Sequence, residues 1–327
     1  MISIAPMVDV TDRHFRYMCR LLTKETMLYT EMITAPAIIH GNTKSLLDFK
    51  KVEKPIALQI AGSNPDEIAE AIKIAEKWDY DEININAGCP SEKVSEYDMG
   101  LTLMLEPKKV AEIVAKAKEV TKKPITVKHR IGIDATKERN KSRISHEYLK
   151  EFVEIIKKHR VNKFIIHARI GVIGLDPKKN RSIPPLNYEA VYSIKRDFPE
   201  LYIEINGGIR TSEEIKEHLK HVDGVMIGRV AYENPMFLSE LDSIITKKPT
   251  VGIKREQVIE TMLDYIKKEE TNSEEPLKCR NILKHLQNIY HGEKGSKKWK
   301  RLIMPPWKNK KASEILENGI KEIKKTL

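Results

Sequence analysis

Cys89 lies in Asn84-Ile85-Asn86-Ala87-Gly88-Cys89-Pro90-Ser91, where a short apolar run meets a proline turn. That setting puts an acidic, nucleophile-capable thiol on a rigid rim, which makes Cys89 the first candidate for chemistry. Unusual polar residues close other apolar runs in the same way: Gln59, Asn86, Lys128, His167, Asn206-Gly207-Gly208 and Gly228-Arg229. Their types suit a flat, anionic, hydrogen-bonding cofactor. Gly207, Gly208 and Gly228 allow close backbone approach and expose N–H groups, and Arg229 can fork onto a phosphate. Lys128 can stabilise negative charge on the N1/O2 side of a reduced flavin, and Gln59 can match its pyrimidine edge. His167 can donate to the ring or to a phosphate-side oxygen, and the sequence leaves both open. Each residue alone has a plainer reading, as a tight turn, a snorkelling lysine or a structural histidine. Their recurrence at matching positions favours a site.

Such convergence needs a scaffold that gathers strand ends. Apolar runs are expected as strands at Ile2–Ala5, Met27–Thr30, Ile56–Ile60, Glu82–Asn86, Ile125–Lys128, Lys163–His167, Tyr202–Asn206 and Gly224–Ile227. Between them Pro65–Lys77, Pro107–Val120, Glu147–His159 and Ser212–Leu219 carry apolar positions three and four apart, the pattern of surface helices. The alternation predicts an α/β fold, a (β/α)8 TIM barrel over residues 1–245 whose strand ends meet at one mouth. An open doubly wound sheet would want a glycine-rich turn after the first strand, where this chain has Pro6-Met7-Val8-Asp9. Residues 250–327 read as a small all-helical domain, with helices at Arg255–Lys268, Leu277–Tyr290 and Lys311–Lys324.

The charge is uneven. The chain carries +11 overall, and 276–327 holds 14 Lys+Arg against 4 Asp+Glu. A basic tail predicts a polyanionic partner, with Lys297, Lys298 and Arg301 inside a cluster of eight basic residues over 294–311 that also holds Trp299 and Trp307. The two tryptophans read as core anchors rather than stacking platforms. Cys19, Cys89 and Cys279 are too few for a disulfide framework or zinc site, and no metal is expected. No run approaches the ~20 apolar residues that span a bilayer, and Met1 opens without a basic leader, so a cytoplasmic protein without membrane contact is expected.

Ala5-Pro6-Met7-Val8-Asp9, Asn86-Ala87-Gly88-Cys89-Pro90-Ser91, Val127-Lys128-His129-Arg130, Ile166-His167-Ala168-Arg169, Asn180-Arg181-Ser182-Ile183-Pro184, Asn206-Gly207-Gly208-Ile209 and Gly228-Arg229-Val230-Ala231 occur in the order found in one family. Together they resemble the tRNA-dihydrouridine synthases, specifically the bacterial A-type branch. The resemblance covers about residues 1–240, and the tail matches in placement and character. It implies FMN in the barrel mouth and NADPH as reductant of a D-loop uridine in tRNA. Cys89 takes the position of the acid that protonates C5, and Asn86 that of the asparagine near flavin and base. Pro6, Met7, Gln59, Lys128, His167, Asn206, Gly208, Gly228 and Arg229 fall on flavin-contacting positions, and Arg169, Asn180 and Arg181 on base- or tRNA-facing ones. No protein partner is implied, and a monomer is expected. The family pattern breaks at Tyr97 and at Ile170–Leu175. Two rivals remain at this point: a barrel flavoenzyme reducing a small free pyrimidine or other activated double bond, and an inactive RNA-binding protein of the same fold.

Overall fold

The computed structural model describes residues 1–91, 98–136, 141–249, 252–272, 278–307 and 310–326. Eight parallel strands build its centre: β1 Ile2–Ile4, β2 Leu28–Thr34, β3 Ile56–Ala61, β4 Glu82–Ala87, β5 Ile125–Arg130, β6 Lys163–His167, β7 Tyr202–Asn206 and β8 Gly224–Ile227. Around the sheet they follow the order β1-β8-β7-β6-β5-β4-β3-β2. A bridge between Ser3 and Met27 joins the two ends. The fold is a (β/α)8 barrel followed by C-terminal helices.

Local chemistry sets these elements. Every residue of β3 and β4 is buried, as for parallel strands covered on both faces, and this yields near-continuous apolar runs. Helices start where side chains satisfy free N–H groups: Asn64 caps Pro65–Ala75, Ser145 caps His146–Lys157, and Thr211 with Glu214 forms a capping box on Ser212–His218. The barrel interior holds an apolar cluster of Ala5, Met27, Tyr29, Ala57, Ile165 and Met226.

Several expected boundaries move. β2 runs to Thr34 and β5 to Arg130, so Lys128 lies inside its strand rather than closing it. The helix expected at Leu277–Tyr290 is found at Cys279–Leu286. A three-stranded sheet of Ile133–Ala135, Lys141–Arg143 and Gly171–Val172 was not anticipated; it joins the loops after β5 and β6 and includes part of the divergent 170–175 segment. Tyr97 lies outside the described residues, as does Lys308 of the basic cluster.

The chain divides into two compact units. One comprises Met1–Val8 and Met27–Gly228; the other comprises Asp9–Thr26 and Arg229–Leu327. The helix Arg13–Leu22, between β1 and β2 in sequence, therefore groups with the C-terminal helices. Asp12 caps that helix through the N–H groups of His14 and Phe15 and also pairs with His285 at 2.9 Å and Lys284 at 3.0 Å. Arg13 meets Glu269 at 2.9 Å. Trp299 anchors the second unit, fully buried and donating from Nε1 to the Leu286 carbonyl at 2.8 Å. Trp307 is half-buried and donates to the Ile303 carbonyl at 2.9 Å. No described helix is long and apolar enough to cross a membrane.

Candidate active site

The site residues within the first unit lie at or just beyond the C-terminal halves of the barrel strands, from Pro6 and Met7 after β1 to Gly228 after β8. Asn86, near the end of β4, shapes the turn that carries the thiol: its Oδ1 accepts from the N–H groups of Gly88 at 3.1 Å and Cys89 at 2.9 Å. Gly88 lies close against β5: a Cβ there would stand 3.1 Å from the His129 Cα, so the neighbouring backbone would have to give. The Cys89 carbonyl accepts from the Leu101 N–H at 2.9 Å, which ties the turn to the segment that follows.

Cys89 is partly exposed, and its flank packs on the cluster of Ala61 and Met99, as does Met32. Desolvation pushes the thiol pKa up, against the N–H of Ser91 and the charges of Lys128, Arg130 and Arg181, which favour the thiolate. The thiol is thus held protonated rather than acidified. A protonated thiol suits the proton donor expected from the sequence.

Lys128 stands opposite Asn86 in the β4–β5 register. Burial lowers its pKa to about 8, with Arg130 adding repulsion. Among the described residues it makes no ion pair. His167 is held neutral, its pKa pushed well below the usual value by desolvation and then by Arg130, Lys128, Arg169 and Arg181. Its Nδ1 is buried with no hydrogen-bond partner among the described residues. His129, next to Lys128, is a core residue: its ring packs on Phe152 and Phe164, and its Nδ1 meets the Arg130 carbonyl.

Gln59 and Asn86 join through their amides, Asn86 Nδ2 donating to Gln59 Oε1 at 2.8 Å. Asn206 donates to the Met226 carbonyl at 2.7 Å. At Gly208 φ is +78°, and a Cβ would meet Leu186 at 2.6 Å. Pro6 and Met7, after β1, are partly exposed. Arg229 is exposed and opens the short helix Val230–Glu233 in the second unit.

Arg169 donates to the Pro184 carbonyl at 2.7 Å, and Arg181 is exposed. Asn180 is buried, with its amide holding the backbone of Val172 and Leu175. Arg130 is a residue that sequence reading missed. Its guanidinium donates to the carbonyls of Gly88, Ile170 and Asn180, so one side chain pins the cysteine turn to the loop after β6. A cavity of about 390 Å³ lies beside that loop, lined by Ile131, Ile144, Ile170 and Pro185 but by none of Cys89, Lys128 or His167.

In the second unit, Lys297 and Arg301 are exposed on the helix Ser296–Ile303. Lys298 is partly buried, its ammonium donating to the Glu322 carbonyl at 3.0 Å and the Thr326 hydroxyl at 2.7 Å.

Residues 3–325 match the family model described as dihydrouridine synthase (Dus). The chain belongs to the dihydrouridine synthase family. It is 46% identical over 303 residues to the "tRNA-dihydrouridine(20/20a) synthase" of Synechocystis sp., covering 92% of this chain and 88% of that one. It is 44% identical over 329 residues to the protein of the same name from Vibrio vulnificus, covering 100% and 98% of the two chains. The Shewanella oneidensis protein of that name is 44% identical over 92% of this chain and 87% of its own. Family membership thus spans the barrel and the helical tail.

Proposed function

We propose that the protein is a tRNA-dihydrouridine synthase of the A-type branch, which binds FMN, uses NADPH and reduces uridines 20 and 20a in the D-loop of tRNA. The observation that carries this reading is the mouth itself: a protonated thiol on a fixed turn, beside Lys128 and His167, in a chain that matches the family from 3 to 325. The names of the relatives supply the positions 20 and 20a.

The residues fit a flat anionic cofactor. Lys128 makes no ion pair and His167 Nδ1 has no partner among the described residues, and a Cβ at Gly228 would meet nothing within 4 Å. Pro6, Met7, Gln59, Lys128, His167, Asn206, Gly208 and Gly228 would hold FMN, with Lys128 toward its N1/O2 edge. When bound, the reduced flavin supplies the hydride for the uracil double bond. Asn86 holds the turn of Cys89, and Cys89 would give its proton to C5 of the base; burial raises the thiol pKa and so keeps that proton in place until it is needed. Arg169 and Arg181 extend the cationic rim toward the substrate. A loop uridine reaches such a mouth at lower cost than a paired base.

Lys128 gives a pH signature. With its pKa near 8, the ammonium is present below that pH and lost above it. FMN affinity of the apoprotein should therefore be greatest below pH 8 and decline as pH rises through it, and Lys128→Met should remove that dependence. The same shift means that burying the charged lysine costs stability at pH below about 8, a cost relieved as pH rises toward 10.5. Fluorescence titration of FMN across pH checks the first sign and urea unfolding of the apoprotein across pH the second; an unchanged titration profile in the variant would take Lys128 out of the flavin site.

The second unit is proposed to read tRNA phosphates through Lys297, Lys300 and Arg301, with Lys298 contributing less because its ammonium is held by Glu322 and Thr326. Changing Lys297, Lys300 and Arg301 to alanine should make the salt slope of tRNA affinity shallower by about 2 to 3, at ~0.7–0.9 per phosphate. Filter binding over a salt series measures it, and an equal slope would place the RNA contacts elsewhere. Positional mapping of dihydrouridine in tRNA incubated with the enzyme tests the finer claim: product at 20 and 20a is expected, and product only at other D-loop positions would refute it.

A further inference from the structure

The buried polar residues of β3, β4 and β5 form one directed chain of hydrogen bonds. Asn86 Nδ2 donates to Gln59 Oε1 at 2.8 Å, Gln59 Nε2 to Asn84 Oδ1 at 2.7 Å, Asn84 Nδ2 to Thr126 Oγ1 at 2.8 Å, and Thr126 Oγ1 to Glu82 Oε1 at 2.7 Å. Every link donates toward Glu82. The carboxylate accepts at that end, and it also takes the Tyr29 hydroxyl at 2.7 Å and the Lys163 ammonium at 3.0 Å. At the other end Asn86 Oδ1 accepts from the N–H groups of Gly88 and Cys89.

We infer that Glu82 is a positioning residue for Cys89, acting through this chain from the N-terminal end of β4. The argument is one of polarity. A threonine hydroxyl has one proton, and each primary amide has one acceptor face and one donor face. Because Glu82 can only accept, Thr126 donates to it, and the orientations of Asn84, Gln59 and Asn86 follow in sequence. Reversing the chain would turn Asn86 Nδ2 toward the N–H groups of Gly88 and Cys89, placing donor against donor in the turn that carries the thiol. Gln59, Asn84 and Thr126 are at most 1% exposed, so water cannot relieve the mismatch. Tyr29 donates to the same carboxylate but lies off the chain, which supplies an internal control.

This inference rests on the reading of Cys89 as the proton donor, but its test needs neither flavin chemistry nor tRNA. The rate at which iodoacetamide alkylates Cys89 in the purified holoenzyme, resolved from Cys19 and Cys279 by peptide mass spectrometry, reports how firmly the turn is held. Glu82→Leu, which leaves the Thr126 hydroxyl no acceptor, and Thr126→Val should each raise that rate about tenfold, the scale of one lost buried hydrogen bond. The double variant should exceed neither, since both cut one chain. Thr126→Ser, which restores the hydroxyl, and Tyr29→Phe should alkylate at the wild-type rate. If Glu82→Leu does not fold, the Thr126→Val and Thr126→Ser pair decides alone. Wild-type rates in the chain-cutting variants, or an equal rise in Tyr29→Phe, would overturn the assignment. Either result leaves the proposed reaction standing, whereas a wild-type enzyme that reduces no uridine would refute the reaction and leave the alkylation result intact.

Discussion

Replacing Cys89 with alanine is expected to depress dihydrouridine formation by about 10²–10⁴, the usual contribution of a positioned acid, while NADPH still bleaches the bound flavin at close to the wild-type rate. The split follows from where the thiol sits. Apolar packing on Ala61 and Met99 and the desolvation by burial keep it protonated, and the turn made by Asn86 fixes its backbone. A proton is demanded only when the base is reduced. Lys128, His167 and Gln59 are untouched by the substitution, so flavin content should be retained. Stopped-flow absorbance of the two half-reactions measures both effects, and undiminished uridine reduction in the variant would remove Cys89 from the mechanism.

Trp299→Ala is expected to cost about 3–5 kcal/mol of stability, the range for deleting a large aromatic from a packed interior. Trp299 is 0% exposed, sits against Tyr290 with ring centroids 5.1 Å apart, and lies close enough to Gly319 that a Cβ there would be 3.4 Å from its ring. Its removal also strands the Leu286 carbonyl that its indole N–H satisfies. Trp299→Phe keeps more of the packing and should cost less. Urea unfolding of the variants checks the ordering; a loss below about 1 kcal/mol in the alanine variant would mean that the helical unit closes over the gap.

The barrel was legible because its strands are buried on both faces and so read as apolar runs, and because Asn64, Ser145 and Thr211 mark helix starts. The cysteine turn was legible because Gly88, Cys89 and Pro90 break the run abruptly. Glu82, Asn84 and Asn86 also stood in plain view as the polar positions of an alternating strand, Glu-Ile-Asn-Ile-Asn, yet only Asn86 was singled out. Their meaning depends on Gln59 and Thr126 across the sheet, and register between strands is not written in either strand alone. Arg130 escaped for the same reason, since its partners Gly88, Ile170 and Asn180 lie 40 to 50 residues away. The three-stranded sheet after β5 was hidden by its size, with strands of two or three residues that carry no periodicity. Trp299 was read correctly as an anchor, because a large aromatic among charged residues on a short helix buries its ring on the core side while Lys297 and Arg301 stay exposed.

This chain is expected to reduce uridine in tRNA with a flavin and a nicotinamide. The most direct test incubates the purified, FMN-loaded protein and NADPH with unmodified tRNA transcript and analyses the nucleosides by mass spectrometry. Dihydrouridine should appear in proportion to NADPH consumed, and should be nearly absent with the Cys89→Ala variant at equal flavin loading. A wild-type protein that oxidises NADPH but leaves every uridine of the tRNA unreduced would contradict the claim.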